Sequence, residues 1–191
     1  MKLRGFMGLA LASALVSATA AAEQAVPVQL ATLNGVNAMA GDQVEGVRFP
    51  TLYGKTESVK GVDLHLLGIG ETDEFVGVQF PLLIAGANHV NKSMTGVSFG
   101  LWNWNKGMTK GANLGMVNVA NDVHGANVGL VNVSQGYTAF DWSAVNVSES
   151  SHAQLGIFNK TTELKGIQLG LINCADNGFL PCFPLFNFAP Q

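Results

Sequence analysis

The side chains best equipped for chemistry in this chain are four histidines, a knot of carboxylates, a pair of cysteines and three tryptophans. Their spacing argues against most of the reactions they could perform. His65, His89, His124 and His152 recur at no common interval, so they predict exposed turn residues rather than a metal-binding column. Glu71, Asp73 and Glu74 are the one acidic cluster, but the Gly-Asp spacing of calcium-binding repeats is absent, and a solvated loop is the reading that follows. Gly68-Ile69-Gly70 lacks the further glycine of a dinucleotide loop. Cys174 and Cys182 lie close together near the C-terminus; in an exported chain they predict a small disulfide staple, since two sulfurs alone fall short of a four-ligand metal site. These residues predict no catalytic, cofactor or metal site.

What positions them is a repeat. Taking as position 1 the first residue of Gly-Val-x-Leu-Gly-Leu-Val-Asn, units begin at Pro27, Gly46, Gly61, Gly77, Gly96, Gly111, Gly125, Ala139, His152, Gly166 and Leu180. The interval is 13 to 15 residues from Gly96 onward and 15 to 19 before it. Residues 23–191 therefore read as one repeat domain, irregular over 27–95 and regular over 96–191. A fixed period of this kind marks stacked units, none of them stable alone.

The columns are stricter than the interval. Position 4 is always apolar, as in Leu30, Phe49, Phe99, Trp142 and Leu169, and so is position 7, as in Leu52, Trp102, Val131 and Ile172. Position 3 is polar in ten of eleven units, which separates it from its neighbours. Position 8 is Asn in eight: Asn34, Asn103, Asn118, Asn132, Asn146, Asn159, Asn173 and Asn187, half of all the Asn in the chain. Three of the four Asn-x-Ser/Thr glycosylation patterns use this repeat Asn and are by-products of it. Trp102 and Trp142 stand in the apolar columns and are expected in the core; Trp104 stands outside them and is the residue a sugar-stacking site would use.

Residues 1–22 read as a secretory signal peptide, with Lys2 and Arg4 ahead of an apolar run from Phe6 to Val16 and small residues at Ala20, Ala21 and Ala22. The remaining chain holds eight basic and thirteen acidic residues, a net charge of −5. That balance argues against a nucleic-acid partner. Charged residues make up 12% of the chain, half the roughly 25% usual in soluble domains, so the surface is either uncharged-polar or covered by lipid or protein.

The short alternating runs rich in Val, Leu, Ile and Phe favour strands. Position 5, which exchanges Gly for Pro50, Pro81 and Pro184, is a bend rather than the middle of a ladder. Turn residues such as Ser134-Gln135-Gly136 and Thr161-Thr162-Glu163 supply a second reversal. Two bends in about 14 residues predict an all-β fold, a β-solenoid with one unit per coil. Val44, Val59, Phe75, Met94, Val123, Tyr137 and Leu164, before the next unit, would enter its core. Stacking would also set Asn above Asn in a hydrogen-bonded ladder. The alternative is an antiparallel meander closed into a barrel, with apolar residues on both strand faces.

The unit Gly166-Ile167-Gln168-Leu169-Gly170-Leu171-Ile172-Asn173 resembles that of a family of bacterial exported proteins of unknown function, described as surface-repeat proteins. The Phe183-Pro184-Leu185-Phe186-Asn187 ending is similar to that of some members, while Tyr53, Gly68 and Ile84 depart from the repeat Asn. The resemblance implies export to a Gram-negative envelope, as periplasmic, outer-membrane or surface protein, and implies no catalytic residue. The expected role is a non-enzymatic scaffold or interaction surface for an envelope component or another protein. Membrane association and self-association are both open to it. An integral outer-membrane barrel and a carbohydrate-binding module are the other two expectations.

Overall fold

The computed structural model describes residues 25–33, 36–38, 41–82 and 86–190. The predicted signal peptide, Asn34, Leu83 and Ile84 lie outside the described residues. Nine strands form one sheet: β1 Val26–Leu33, β2 Val36–Ala38, β3 Gln43–Pro50, β4 Tyr53–His65, β5 Ile69–Pro81, β6 Ala87–Val128, β7 Val131–Trp142, β8 Val145–Ala175 and β9 Cys182–Phe188. Their order is β2-β1-β3-β4-β5-β6-β7-β8-β9. Pairing is parallel from β1 through β8 and antiparallel only at the ends, where β2 returns on β1 and β9 on β8. The fold is a β-solenoid, and the antiparallel meander is excluded by the parallel register.

Coils average about 16 residues, longer than the 14 expected, because the insertions fall within the early coils. Paired residues are 15 apart at Val44↔Val59, 16 at Gly54↔Gly70, 19 at Gly77↔Gly96 and 14 at Asn118↔Asn132. β6 and β8 are long because they run around the corners of successive coils.

Glycine makes the close stacking possible at two columns. At position 1, Gly111 has φ +139°, and a Cβ there would lie 1.9 Å from the Gly96 carbonyl oxygen. At the position 5 bend, a Cβ on Gly129 would lie 2.1 Å from the Gly115 oxygen. Neither site has room for a side chain.

The interior is not the one the apolar columns suggest. Positions 4 and 7 face outward: Trp102 and Trp142 are 48% and 55% exposed, so their expected place in the core is corrected. The reason is strand alternation, which sends neighbours to opposite faces. Once Asn at position 8 points inward, positions 7 and 9 must point out. Position 3 is likewise interior, and all ten of its polar residues, from Gln29 to Gln168, are at most 1% exposed. Among the described residues, apolar burial is confined to one column just after the turn, with Val44, Val59, Phe75, Met94, Val123 and Leu164, and to scattered neighbours such as Val90. Tyr137 does not join it, because the register there places Thr138 opposite Val123, and Thr138 is the buried residue.

Cohesion inside the coil comes instead from amide ladders. Asn88 donates to Asn103 (2.6 Å), Asn103 to Asn118 (2.7 Å), Asn118 to Asn132 (2.8 Å), Asn132 to Asn146 (3.0 Å), Asn146 to Asn159 (2.8 Å) and Asn159 to Asn173 (2.7 Å). A second bond runs across the coil. Asn118, Asn146 and Asn159 also donate to the backbone carbonyls of Val128, Leu155 and Leu169 at 2.9–3.0 Å. Those carbonyls directly precede the position 5 bend of the next coil, and the Leu155 oxygen accepts the backbone N–H of Ser143 (3.0 Å) as well, so the amide adds a second bond there. Asn187 is buried but leaves the ladder: its amide donates to the backbone oxygens of Asn173 (3.4 Å) and Leu180 (3.0 Å), because β9 runs antiparallel.

Replacing Asn118 by Ala deletes both of its donated bonds and strands the Asn103 amide. At roughly 1–3 kcal/mol per buried unsatisfied group, the loss is expected to be about 3 kcal/mol or more, read from urea unfolding followed by far-UV circular dichroism.

Candidate interaction surface

Outward-facing positions divide the coil into three faces. Positions 2 and 4 make one, positions 7 and 9 another, and they meet at the corner formed by positions 5 and 6; the turn and the residues around it make the third. The first two faces are apolar along the rod. Corner residues Leu66, Leu82, Met116, Leu130, Ile157, Leu171 and Leu185 are all exposed, reaching 63% at Leu171 and 68% at Leu185. Between the coils that begin at Gly77, Gly96 and Gly111 the surface dips into an open groove of about 630 Å³, lined by Phe80, Leu82, Phe99, Leu101, Leu114 and Met116 among others.

Charge is nearly absent from this surface, Lys160 at position 9 being the exposed exception. Across all eleven units, positions 1 to 8 contain only three Lys, Arg, Asp or Glu residues, namely Arg48, Asp63 and Asp141. All three are buried. Arg48 and Asp63 pair inside the coil, with Arg48 Nη1 also donating to the Glu71 carbonyl at 3.0 Å. His65 Nε2 lies 3.2 Å from Asp63 Oδ2. Burial drives the His65 pKa down, Asp63 opposing it and Arg48 adding to it. His65 fills space left by Gly70, where a Cβ would lie 2.0 Å from its Nε2. Its expected place in an exposed turn is therefore corrected, and this sealed trio is structural.

The charged face carries the acidic cluster, in β5 rather than in the loop expected. Lys55, Glu71 and His89 are register partners on adjacent coils. Glu71 accepts bonds from Tyr53 Oη (2.6 Å), Lys55 Nζ (3.0 Å) and Asn91 Nδ2 (3.1 Å). Burial opposes its charge, but those bonds prevail and hold its pKa down to about 2. The bond to Glu71 pushes Tyr53 up to about 12. Asp73 is held by Lys92 (2.8 Å) and Asn91 (3.1 Å). Among the described residues no group of three His, Cys, Asp or Glu is arranged to hold a metal. His89, only partly exposed, stacks on Trp104 with ring centroids 4.7 Å apart, and Lys106 Nζ lies 4.8 Å from the same ring centroid. The indole that a sugar would stack on is thus engaged by its own neighbours. His124 and His152 are exposed.

Cys174 and Cys182 are joined by a disulfide across the β8/β9 pair. The structure brings Asn103, Asn118, Asn132, Asn146, Asn159 and Asn173 into one ladder and adds Asn88, which the repeat alignment missed. An insertion in the unit that begins at Gly77 carries Asn88 four residues beyond Ile84, where the column would otherwise fall. A second interior ladder at position 3 was also missed, although its signal, polarity in ten of eleven units, was visible: Asn113 donates to Asn127 (2.8 Å), Asn127 to Asp141 (3.0 Å) and Gln168 to Gln154 (2.7 Å). Comparison with protein-family models, curated proteins and solved structures finds no match.

Asp141 is the weak rung. Burial pushes its carboxyl up to about 7, against the hydrogen bonds of Asn127 and Gln154. The folded protein keeps a proton that the unfolded chain releases near pH 4, so this residue's contribution to stability falls as pH rises from about 4 to about 7 and is level above that. Asp141→Asn removes the titration. Its stability relative to the parent is expected to rise between pH 5 and pH 8 by on the order of 2–3 kcal/mol in urea unfolding. Removing the disulfide with Cys174→Ser and Cys182→Ser, which opens a loop with a sequence separation of 8, is expected to cost about 2–3 kcal/mol at the cap, read as faster amide exchange in β9 than in β7.

Proposed function

We propose that the protein is an exported, non-enzymatic rod of the bacterial envelope, whose outer faces serve as a scaffold and interaction surface. The observation that carries this reading is the pair of apolar faces running along the rod, from which every exposed charge at positions 1 to 8 is excluded. Monomeric soluble proteins rarely display continuous apolar patches beyond a few hundred Å², and larger ones mark interaction sites. The predicted signal peptide and the resemblance of residues 166–173 to an exported repeat unit support an envelope location. The ionisable groups inside the coil support the non-enzymatic part: Arg48, Asp63, His65 and Asp141 are sealed from solvent, and on the outside Glu71 and Asp73 are engaged by Lys55, Tyr53, Asn91 and Lys92.

Fractionation of the cells that make the protein, with a carbonate wash and gel mobility before and after boiling, tests the reading. Recovery in the envelope or periplasm, cut after Ala22, with unchanged mobility on boiling is the expected result. Retention in the cytoplasm would overturn export. A carbonate-resistant, heat-shifted band would mark an integral barrel instead.

A further inference from the structure

We propose that the partner of the apolar surface is a lipid bilayer, on which the rod lies lengthwise with the position 5–6 corner immersed and the charged face toward water. The inference rests on the interaction-surface reading above and names its partner.

The shape of the surface favours lipid over protein. Exposure is greatest along the corner, at Ile157, Leu171 and Leu185, so the surface is a convex edge with two faces falling away from it. A second copy of a convex edge does not complement it, and a folded partner would need a cleft as long as the rod. Fluid acyl chains conform to both faces at once and also fill the groove between Phe80, Phe99 and Met116. Chemistry agrees with shape. A protein interface carries about one hydrogen bond per 100–200 Å², whereas positions 2, 4, 6 and 7 have no charged side chain and few polar ones, and Lys160 at position 9, beside the charged face, is the one charge on the two faces.

The borders of the surface are built for an interface. Where the position 7 and 9 face meets the charged face, Trp104 sits beneath the Lys106 ammonium. Near the opposite border, ahead of position 1, Tyr137 lies beneath Lys165, whose Nζ is 5.2 Å from the ring centroid. Aromatic rings with a polar edge collect at the headgroup level, and lysines reach past them to water. The excess of acidic over basic residues in 23–191 adds that anionic headgroups are not required, unlike a basic interfacial helix.

The test is flotation of the protein, purified from whichever cell fraction holds it, with vesicles of pure phosphatidylcholine. Expected is co-flotation that persists in 1 M salt, with tryptophan emission moving to shorter wavelength as Trp102 and Trp142 leave water. The double substitution Leu130→Asp and Leu171→Asp, at exposed corner positions, is expected to lower vesicle affinity about tenfold or more. Circular dichroism and the unfolding midpoint verify that this variant is folded. Glu149→Lys with Glu163→Lys, on the charged face, should float like the parent. Failure of the parent to float, or equal flotation of the corner variant, overturns the lipid assignment. A parent that stays in solution as a defined oligomer which the corner variant dissociates would make a second copy the partner. Because the protein is taken from any fraction, an error about export does not decide this outcome.

Discussion

The constraint on which this fold depends is that a buried amide must use both of its N–H groups. Each position 8 Asn from Asn118 to Asn159 has one hydrogen aimed along the rod at the next Asn and one aimed at a backbone oxygen. Through the first it joins its own coil to the next. The second, at Asn118, Asn146 and Asn159, reaches the carbonyl just before the bend of the next coil. The amide thus ties each of these coils to the next and braces the strand end beside the corner, two bonds that an apolar residue at that column would lose. The strictness of the Asn column follows from this double duty, as Ser or Thr could supply only one donor.

With amides occupying the interior, the apolar residues have to go elsewhere. The usual relation between pattern and burial is reversed in the regular half, where the interior columns read Asn, Asp and Gln at position 3, Asn at position 8, and mainly Ala, Ser and Thr two residues later, as at Ala120, Ser134, Ser148 and Thr161. Stability then rests more on directional bonds and close backbone stacking than on transfer of side chains from water. Such an interior tolerates few exceptions. Arg48 and Asp63 succeed because they neutralise each other, while Asp141, a lone acid in a column of amides, keeps its proton to near neutrality.

The solenoid was legible because the period and the bends are local properties, written in Gly, Pro and turn residues. The Asn ladder was legible because stacking a fixed column leaves its amides no other partner. What misled was hydrophobicity at positions 4 and 7, which by itself does not distinguish a face turned to the core from one turned to another apolar phase. Alternation could have decided it: positions 7 and 8 cannot both point inward in one strand, and a strict Asn has the stronger claim. The exclusion of charge from positions 1 to 8 was likewise present in the sequence. The Glu71 network and the fit of His65 beside Gly70 were not, since both depend on insertions that set the register of the early coils.

Both ends of the rod reverse direction. β2 folds back on β1 over three residues, and β9 folds back on β8 behind a disulfide. A parallel stack is in principle endless, because the last coil presents the same face that received it. Here each terminus instead offers a short strand of opposite polarity, so the register of the amide column is not handed on, as Asn187 shows by bonding to backbone oxygens. A further coil stacked on either of these strands would meet a neighbour of opposite polarity, so the parallel stacking rule stops there.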